Sequence, residues 1–464
     1  MLTVRLPPGA DAARRYAIDV LLGEFLGVAF RYGDACEAGA WRIEAGDRVL
    51  VMADVFLPAA DAAWLVPGSL PDTSPQEWRY TDDLPALRLS GATLPCRFVA
   101  AGEPALLVFS ESGAHCRIDL PGTVFCLLTR YEEAVCATRD MHGRFPLSAL
   151  GAFQRENLHR PLADECAEVL FAILQRLWPG IGRRPRAFRM LASHDVDRPF
   201  EYLFMSPVRM ALRAGADLLQ RRDPSQAMDT WRSWRRVRGG DLAADPCNTF
   251  DWLMTESDRR GLRSAFYFIC AGTGSALDGD YDFAHPAIRD LVRRIAQRGH
   301  EVGIHGSYRS AEDGAQLAHE AALLRGALAG LLPADGTLGG RQHFLRWRTP
   351  GSMADQDVAG LAYDATLGFA ERPGFRCGTC REHPAFDLRG RRPLAVRERP
   401  LVAMDVSVTH PVYMGLGHGD AAFAIFAGLK QTCRRYDGDF TLLWHNSRLM
   451  TEEQRRFYTG VLDA

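Results

Sequence analysis

The sequence lacks a long uninterrupted apolar run, although 47% of its 464 residues are hydrophobic. A membrane-spanning helix needs about 20 consecutive apolar residues. Near the amino terminus, charged residues break up the apolar ones: Arg5, Asp11, Arg14 and Arg15. We therefore expect neither a membrane span nor a signal peptide, and we expect a cytoplasmic location.

The sequence also lacks an excess of charge of either sign. It contains 55 Lys and Arg residues and 57 Asp and Glu residues, for a formal net charge of -2. Proteins that bind nucleic acid usually carry a clear positive excess. The glycine pairs at 272–274 and 339–340 are not followed by Gly-Lys-Ser/Thr, so they do not match a phosphate-binding loop. We expect a neutral or mixed substrate and no nucleic acid.

A repeating cysteine pattern is absent too. The 11 cysteines are scattered through the chain, which favours reduced thiols over a disulfide scaffold. Cys377 and Cys380 form a C-x-x-C pair, and His383 could add one more ligand. Structural zinc sites usually have four protein ligands. The pair therefore favours two ordinary thiols in a loop over a zinc or redox site.

The length and the turn signals predict two domains. Residues 1–185 combine short apolar runs with many turn signals and a late amphipathic helix at 164–177, which indicates an accessory α+β domain. Its polar runs at 130–133 and 140–146 are typical of solvated turns, and we assign them no catalytic role. A Pro- and Gly-rich stretch at 179–185 is a plausible linker.

Residues 186–464 alternate short apolar strands with amphipathic helices, as expected of an α/β fold with a parallel sheet or barrel. The predicted strands are 188–192, 264–270, 301–304, 344–347 and 439–444. The predicted helices are 249–260, 286–297, 311–331 and 421–435.

An insertion at 199–244 is rich in arginine, including Arg221 and Arg222, and contains Trp231 and Trp234. It could form a lid with a surface that binds sugars or anionic polymers, because indole rings stack on sugars and guanidinium groups match carboxylates. The alternative is a solvated face packed on the rest of the domain.

Titratable side chains follow three of the predicted strands. Asp195 and Asp197 come after the first, His305 after the third and His445 after the last. Residues two apart on a strand project to the same side, so the two carboxylates could share one cleft. One carboxylate could then bind a metal while the other acts as general base, and imidazole is a common metal ligand. This arrangement predicts a site at the carboxyl ends of the strands.

Over about 280 residues, this half resembles the NodB-type polysaccharide deacetylases, or carbohydrate esterase family four. Five elements occur in the family's order: Asp195-Val196-Asp197, Gly299-His300-Glu301 through His305, Arg346 to Pro350, Tyr363-Asp364-Ala365-Thr366, and Leu443-Trp444-His445. The resemblance implies a distorted or partial (β/α) barrel. It also implies a hydrolase that removes N- or O-acetyl groups from a carbohydrate or glycoconjugate.

The resemblance assigns roles residue by residue. It implies Asp195 as the catalytic base, His445 as the general acid, and Asp197 and His305 as ligands of a divalent metal, most simply zinc. Arg346, or less readily Arg348, would orient the base, and Asp364 would hold that arginine. Substrate contacts are expected from residues close to these motifs: Ser307, Tyr308, Arg309 and Trp444.

One position departs from the family pattern, because Arg309 stands where a second histidine ligand is usual. Water, Ser307 or His343 could complete the metal site, or Arg309 could supply positive charge itself. On this basis Arg309→His is expected to strengthen metal binding. A catalytically degenerate carbohydrate-binding or scaffold protein is the alternative function, and a small-amide hydrolase is a third.

Overall fold

The computed structural model describes residues 1–71, 73–219, 224–272, 275–331 and 336–464. Arg221 and Arg222 of the arginine-rich insertion, and residues 273–274 of one glycine pair, lie outside these ranges. In the described part of the chain, no helix is both long enough and apolar enough to cross a bilayer.

The strands are β1 Leu2–Arg5, β2 Phe30–Tyr32, β3 Ala40–Ala45, β4 Arg48–Ala53, β5 Gln76–Trp78, β6 Leu94–Cys96, β7 Leu107–Ser110, β8 Gly113–Cys116, β9 Arg189–Val196, β10 Ala265–Phe268, β11 Glu301–Gly306, β12 Gly339–Gln342, β13 Tyr363–Asp364, β14 His383–Asp387, β15 Arg392–Glu398, β16 Ala403–Met404 and β17 Asp439–Leu443.

The α-helices are α1 Asp11–Ile18, α2 Phe56–Ala62, α3 Leu120–Leu128, α4 Tyr131–Ala134, α5 Ala152–Glu156, α6 Leu162–Leu177, α7 Pro207–Leu219, α8 Pro224–Arg238, α9 Phe250–Asp258, α10 Pro286–Gln297, α11 Gly314–Ala327, α12 Ser352–Val358, α13 Asp405–Thr409, α14 Asp420–Arg435 and α15 Glu452–Asp463. A π-helical segment, Asp19–Phe25, continues α1.

The first sheet is mixed and has the strand order β2-β1-β3-β4-β8-β7. Its centre is an antiparallel pair of strands, β3 and β4, in which Ile43 lies opposite Leu50. Both side chains are fully buried, as is Trp41 on the same strand face. Alternation of buried and more exposed residues along β3 is the period-two pattern of a strand with one face in a core.

The second sheet has nine strands in the order β14-β15-β13-β12-β11-β10-β9-β17-β16 and is curled like half of a barrel. Neighbouring strands β9, β10, β11 and β12 run parallel. This confirms the predicted mixed α/β class. Because parallel strands end at the same edge of a sheet, residues near the carboxyl ends of these four strands are brought together.

The chain divides into two compact units. The first contains Met1–Arg189, Phe344–Ala403 and Gly428–Thr441, and the second contains Met190–His343, Met404–Ala427 and Leu442–Ala464. The first segment of the first unit ends at Arg189, close to the boundary predicted at 185. The same unit also contains two later segments of the chain. One contact within it is the hydroxyl of Tyr16, which donates to the carbonyl of Pro384 at 2.7 Å.

The predicted strand at 344–347 is wrong. The strand lies earlier, at Gly339–Gln342, and His343–Leu345 form a short 3-10 turn in which Phe344 has φ 60° and Leu345 has φ 53°. The apolar residues of this run are buried through a turn instead of a strand, since Trp347 packs with Leu367 and Cys377. Apolar content alone does not separate these two outcomes.

The insertion forms the two helices α7 and α8, which enclose a small cluster of Tyr202, Met205, Met210 and Val237. The indole Nε1 of Trp234 donates to the carbonyl of Met205 at 3.3 Å. These contacts lie within the insertion itself, so the lid and the solvated face packed on the rest of the domain both stay predictions. The C-x-x-C thiols are buried as well, and burial raises the pKa of Cys377.

The run 130–133, which was expected to be solvated, is buried instead, and Glu133 lies at the centre of an ion network in the first unit. Its Oε1 accepts from Nε of Arg130 and from Nε of Arg376, both at 2.9 Å, and its Oε2 accepts from Nη2 of Arg376 at 2.7 Å. Burial by itself raises the pKa of Glu133, but Arg376 and Arg130 outweigh this effect and hold the pKa at about 2.

We predict that Glu133→Ala lowers the free energy of unfolding by about 3–5 kcal/mol, because two guanidinium groups stay buried without their carboxylate. Since the pKa in the folded protein is below the ordinary 4.5, this stabilisation is present above about pH 4.5 and is lost as the pH falls toward 2. Urea unfolding at several pH values measures both effects.

Asp290→Ala is the control, because it removes an exposed pair with Arg293 and should cost about 0–1 kcal/mol. Equal losses for the two variants at neutral pH would contradict the role assigned to the network.

Candidate metal centre

Three neighbouring parallel strands, β9, β10 and β11, bring predicted site residues into register in the second unit. Asp195 on β9 lies beside Tyr267 of β10, which lies beside Gly303 of β11. A side chain at Gly303 would collide with the Tyr267 ring, since a Cβ there would approach the ring to 2.6 Å. The residue two further along β11 is His305, and it lies opposite Arg341 of β12.

Asp197, His305 and His343 form a three-residue cluster. The Oδ1 atom of Asp197 is 3.2 Å from Nε2 of His305 and 3.4 Å from Nε2 of His343. Among the described residues, the potential ligand atoms of these three side chains all lie within 4.8 Å of one another. Two imidazole nitrogens and one carboxylate oxygen are a common ligand set for catalytic zinc.

The hydrogen bonding of Asp197 fits the same interpretation. Its Oδ1 atom is buried, yet in the described part of the chain it has no hydrogen-bond partner. Buried polar atoms are normally satisfied. Burial raises the pKa of Asp197, but His343, His305 and His445 outweigh it and keep the pKa well below its usual range. The residues present therefore suit a divalent cation.

Both candidate histidine ligands are held through their other ring nitrogen. Nδ1 of His305 donates to the carbonyl oxygen of Arg341 at 2.9 Å. Nδ1 of His343 faces Oδ1 of Asp278 at 3.3 Å. Such contacts fix the tautomer in which Nε2 carries a free lone pair, as a metal ligand requires.

Asp195 is held by Arg341, which no sequence motif indicated. Nη1 of Arg341 donates to Oδ1 of Asp195 at 2.7 Å, and Nη2 donates to Oγ of Ser193 at 2.9 Å. The guanidinium lies 4.9 Å from the centre of the Tyr267 ring. The other carboxylate oxygen, Oδ2, is 3.7 Å from Nε2 of His305, so it faces the candidate metal centre.

His445 follows β17 and is paired with a second buried aspartate. Its Nδ1 donates to Oδ1 of Asp405 at 2.8 Å, and its backbone N–H donates to Oδ2 of Asp405 at 3.0 Å. Its Nε2 lies 3.7 Å from Oδ2 of Asp197. Burial lowers the pKa of His445, but Asp405 outweighs this and raises it to about 9. The imidazole is therefore placed to carry a proton toward the cluster.

The four residues predicted to contact substrate differ in their exposure to solvent. Ser307 is fully buried and bonds to the carboxylate of Glu320 through both its backbone N–H and its hydroxyl. Trp444 is only 1% exposed and packs against aromatic rings of Phe426, Phe457 and Tyr458. Neither is available to a substrate. Tyr308 is half-buried and Arg309 is exposed.

Arg346 and Asp364 belong to the first unit and make other contacts there. Nε of Arg346 donates to the carbonyl oxygen of His142 at 2.7 Å. The carboxylate of Asp364 accepts from Gln356 and from both the backbone and the hydroxyl of Thr366. In the second unit Arg341 makes the contact with Asp195, and the role implied for Arg346 stays a prediction.

The chain matches a family model over its first part and has low similarity to a solved structure. A family of unknown function, DUF7033, matches residues 2–179. One similar solved structure is described as a "putative polysaccharide deacetylase" from Mycobacterium smegmatis; it is 15% identical with a TM-score of 0.38, and the match covers 60% of this chain and 84% of that one. No curated protein matches. A structural similarity this low does not support any inference about function. The function is therefore inferred from the geometry of the site.

We predict that His343→Ala weakens Zn²⁺ or Co²⁺ binding by more than about 100-fold, because it removes a direct ligand and should exceed the 10–100-fold loss typical of an outer contact. Arg309→His should leave affinity unchanged, because residue 309 is exposed and His343 offers a third ligand atom; this differs from the increase expected from the sequence. Competition with a chromophoric chelator measures both. Tighter binding by Arg309→His, with no loss for His343→Ala, would contradict the assignment.

Proposed function

We propose that this protein is a hydrolase that removes acetyl groups from a carbohydrate or glycoconjugate by metal-assisted acid–base catalysis. One observation carries the proposal: Asp195, with Arg341 on one oxygen, and His445, with Asp405 on one nitrogen, both face the Asp197 cluster. A base and an acid on either side of a metal centre are the groups that acyl transfer to water needs.

Asp197, His305 and His343 would hold the ion, most simply zinc because of the two nitrogen ligands and one oxygen ligand. A bound divalent ion polarises an acyl carbonyl and lowers the pKa of water. Three protein ligands leave a further position for water or substrate. This is the arrangement that distinguishes catalytic zinc sites from structural ones.

Asp195 is proposed as the general base. Its Oδ2 atom faces the cluster, while its Oδ1 atom accepts from Arg341. In the reaction, Asp195 accepts a proton from water as the water oxygen bonds to the acetyl carbon. Arg341 holds the carboxylate in a fixed orientation through a charge-assisted hydrogen bond.

His445 is proposed as the general acid. The acetyl C–N or C–O bond breaks as Nε2 of His445 donates its proton to the departing amine or alcohol, and acetate is released. Asp405 accepts from Nδ1, so the proton to be transferred is on Nε2. Contacts of this kind also hold the ring in a fixed orientation.

A catalytically degenerate sugar-binding protein is the second candidate, and the observation that favours it is Arg309 at the position of the usual histidine. His343 weakens that argument because it offers a replacement ligand. The two functions differ in one measurable respect: only the hydrolase releases acetate.

We predict that Asp195→Asn lowers the rate of acetate release from acetylated amino sugars by about 100-fold or more, because the amide keeps the shape of the carboxylate but cannot accept the proton. Metal content should stay close to that of the unmodified protein. The assay compares acetate release with and without added Zn²⁺ or Co²⁺, and metal content is measured by elemental analysis.

Glu320→Gln is the matched control, since Glu320 is also a buried carboxylate but accepts hydrogen bonds from Ser307. It should retain activity. If the metal-loaded protein releases no acetate from any acetylated sugar tested, the hydrolase proposal fails and the binding protein is favoured. If Asp195→Asn stays active, Asp195 is not the base.

A further inference from the structure

The loop between β10 and α10 carries a buried carboxylate that the proposed reaction does not use. Asp278 lies in this loop, and its side chain is only 2% exposed. The neighbouring Gly279 lets the loop approach the backbone of a metal ligand, since a Cβ at Gly279 would lie 2.2 Å from the carbonyl oxygen of Asp197. The hydroxyl of Tyr281 accepts from the backbone N–H of Ile269 at 2.7 Å, which fixes the other side of the loop.

A single oxygen atom of Asp278 contacts two segments of the site. Its Oδ1 accepts from the backbone N–H of Tyr308 at 2.7 Å, three residues beyond His305. The same atom faces Nδ1 of His343 at 3.3 Å. One buried carboxylate therefore ties the segment that follows one candidate ligand to the side chain of the other.

The two candidate histidine ligands differ in what holds them. His305 donates to a neutral backbone carbonyl, whereas His343 faces a carboxylate. A carboxylate on Nδ1 orients the ring, fixes the tautomer and makes Nε2 a better electron donor. His343 needs such support more than His305 does, because it lies in a turn beyond the end of β12 and not within a strand.

We propose that Asp278 is a positioning residue that makes His343 an effective metal ligand. This inference rests on the metal centre of the proposed function. Together the two residues supply what the exposed Arg309 does not, so that a carboxylate from one loop and an imidazole from another complete the site.

The experiment measures Zn²⁺ and Co²⁺ affinity of the full chain by chelator competition, together with the visible spectrum of the Co²⁺ protein. Asp278→Ala should weaken binding by about 10–100-fold, as is typical when the partner of a ligating histidine is removed. Asp278→Asn should lose less, because its amide oxygen still accepts a hydrogen bond but carries no charge.

Two comparisons separate positioning of His343 from general support of the loop. In a His343→Ala background, Asp278→Ala should cause no further loss of affinity, since its effect runs through the missing imidazole. Glu320→Gln, a matched change in the carboxylate that accepts from the adjacent Ser307 N–H, should leave affinity unchanged. Thermal unfolding in the presence of chelator checks that each variant folds.

The outcomes distinguish failure of the metal centre from failure of the role proposed for Asp278. If the unmodified protein binds no metal, both the metal centre and the role of Asp278 are wrong. If it binds metal and the Asp278 variants bind equally well, only this inference fails, and it fails also if Asp278→Ala weakens binding to the same degree with and without His343.

Discussion

The carboxylate of Asp197 is the constraint around which the site is built. It sits beside three imidazole Nε2 atoms, and its Oδ1 is buried without a hydrogen bond from any described residue. The side chain as a whole is 34% exposed, but withdrawing one oxygen of an anion from water is costly unless charge or hydrogen bonds compensate for it. The histidines supply part of that compensation, and a divalent cation among them would supply the rest.

The need to compensate the charge of Asp197 explains how the three histidines around it are oriented. Each of the three histidines directs Nε2 toward Asp197 because its Nδ1 is engaged elsewhere: by the carbonyl of Arg341, by Asp278, and by Asp405. Two rings face the proposed ion, and the third is free to donate a proton. All three residues are histidines. Whether each is proposed as a metal ligand or as an acid therefore depends on its distance from Asp197 and on the group that contacts its Nδ1.

The sequence predicted those site residues whose signal is local. Asp195, Asp197, His305 and His445 each follow an apolar run that the structure confirms as a strand, and their convergence follows from the order of these strands in the sheet. Residues that depend on register or on loop packing were missed: Arg341, Asp278 and Asp405. Arg346 was assigned to the base through the family resemblance, whereas Arg341, which contacts Asp195, lies on the strand Gly339–Gln342, whose sequence has no apolar side chain and was not predicted as a strand.

The position of the metal tests the account most directly. Crystals of the protein soaked with Zn²⁺ and measured at the zinc absorption edge would locate the ion by its anomalous signal. The account predicts one strong peak at about 2.0–2.2 Å from a carboxylate oxygen of Asp197 and from Nε2 of both His305 and His343. A protein that binds no zinc there, or that binds it at Cys377 and Cys380 instead, would contradict it.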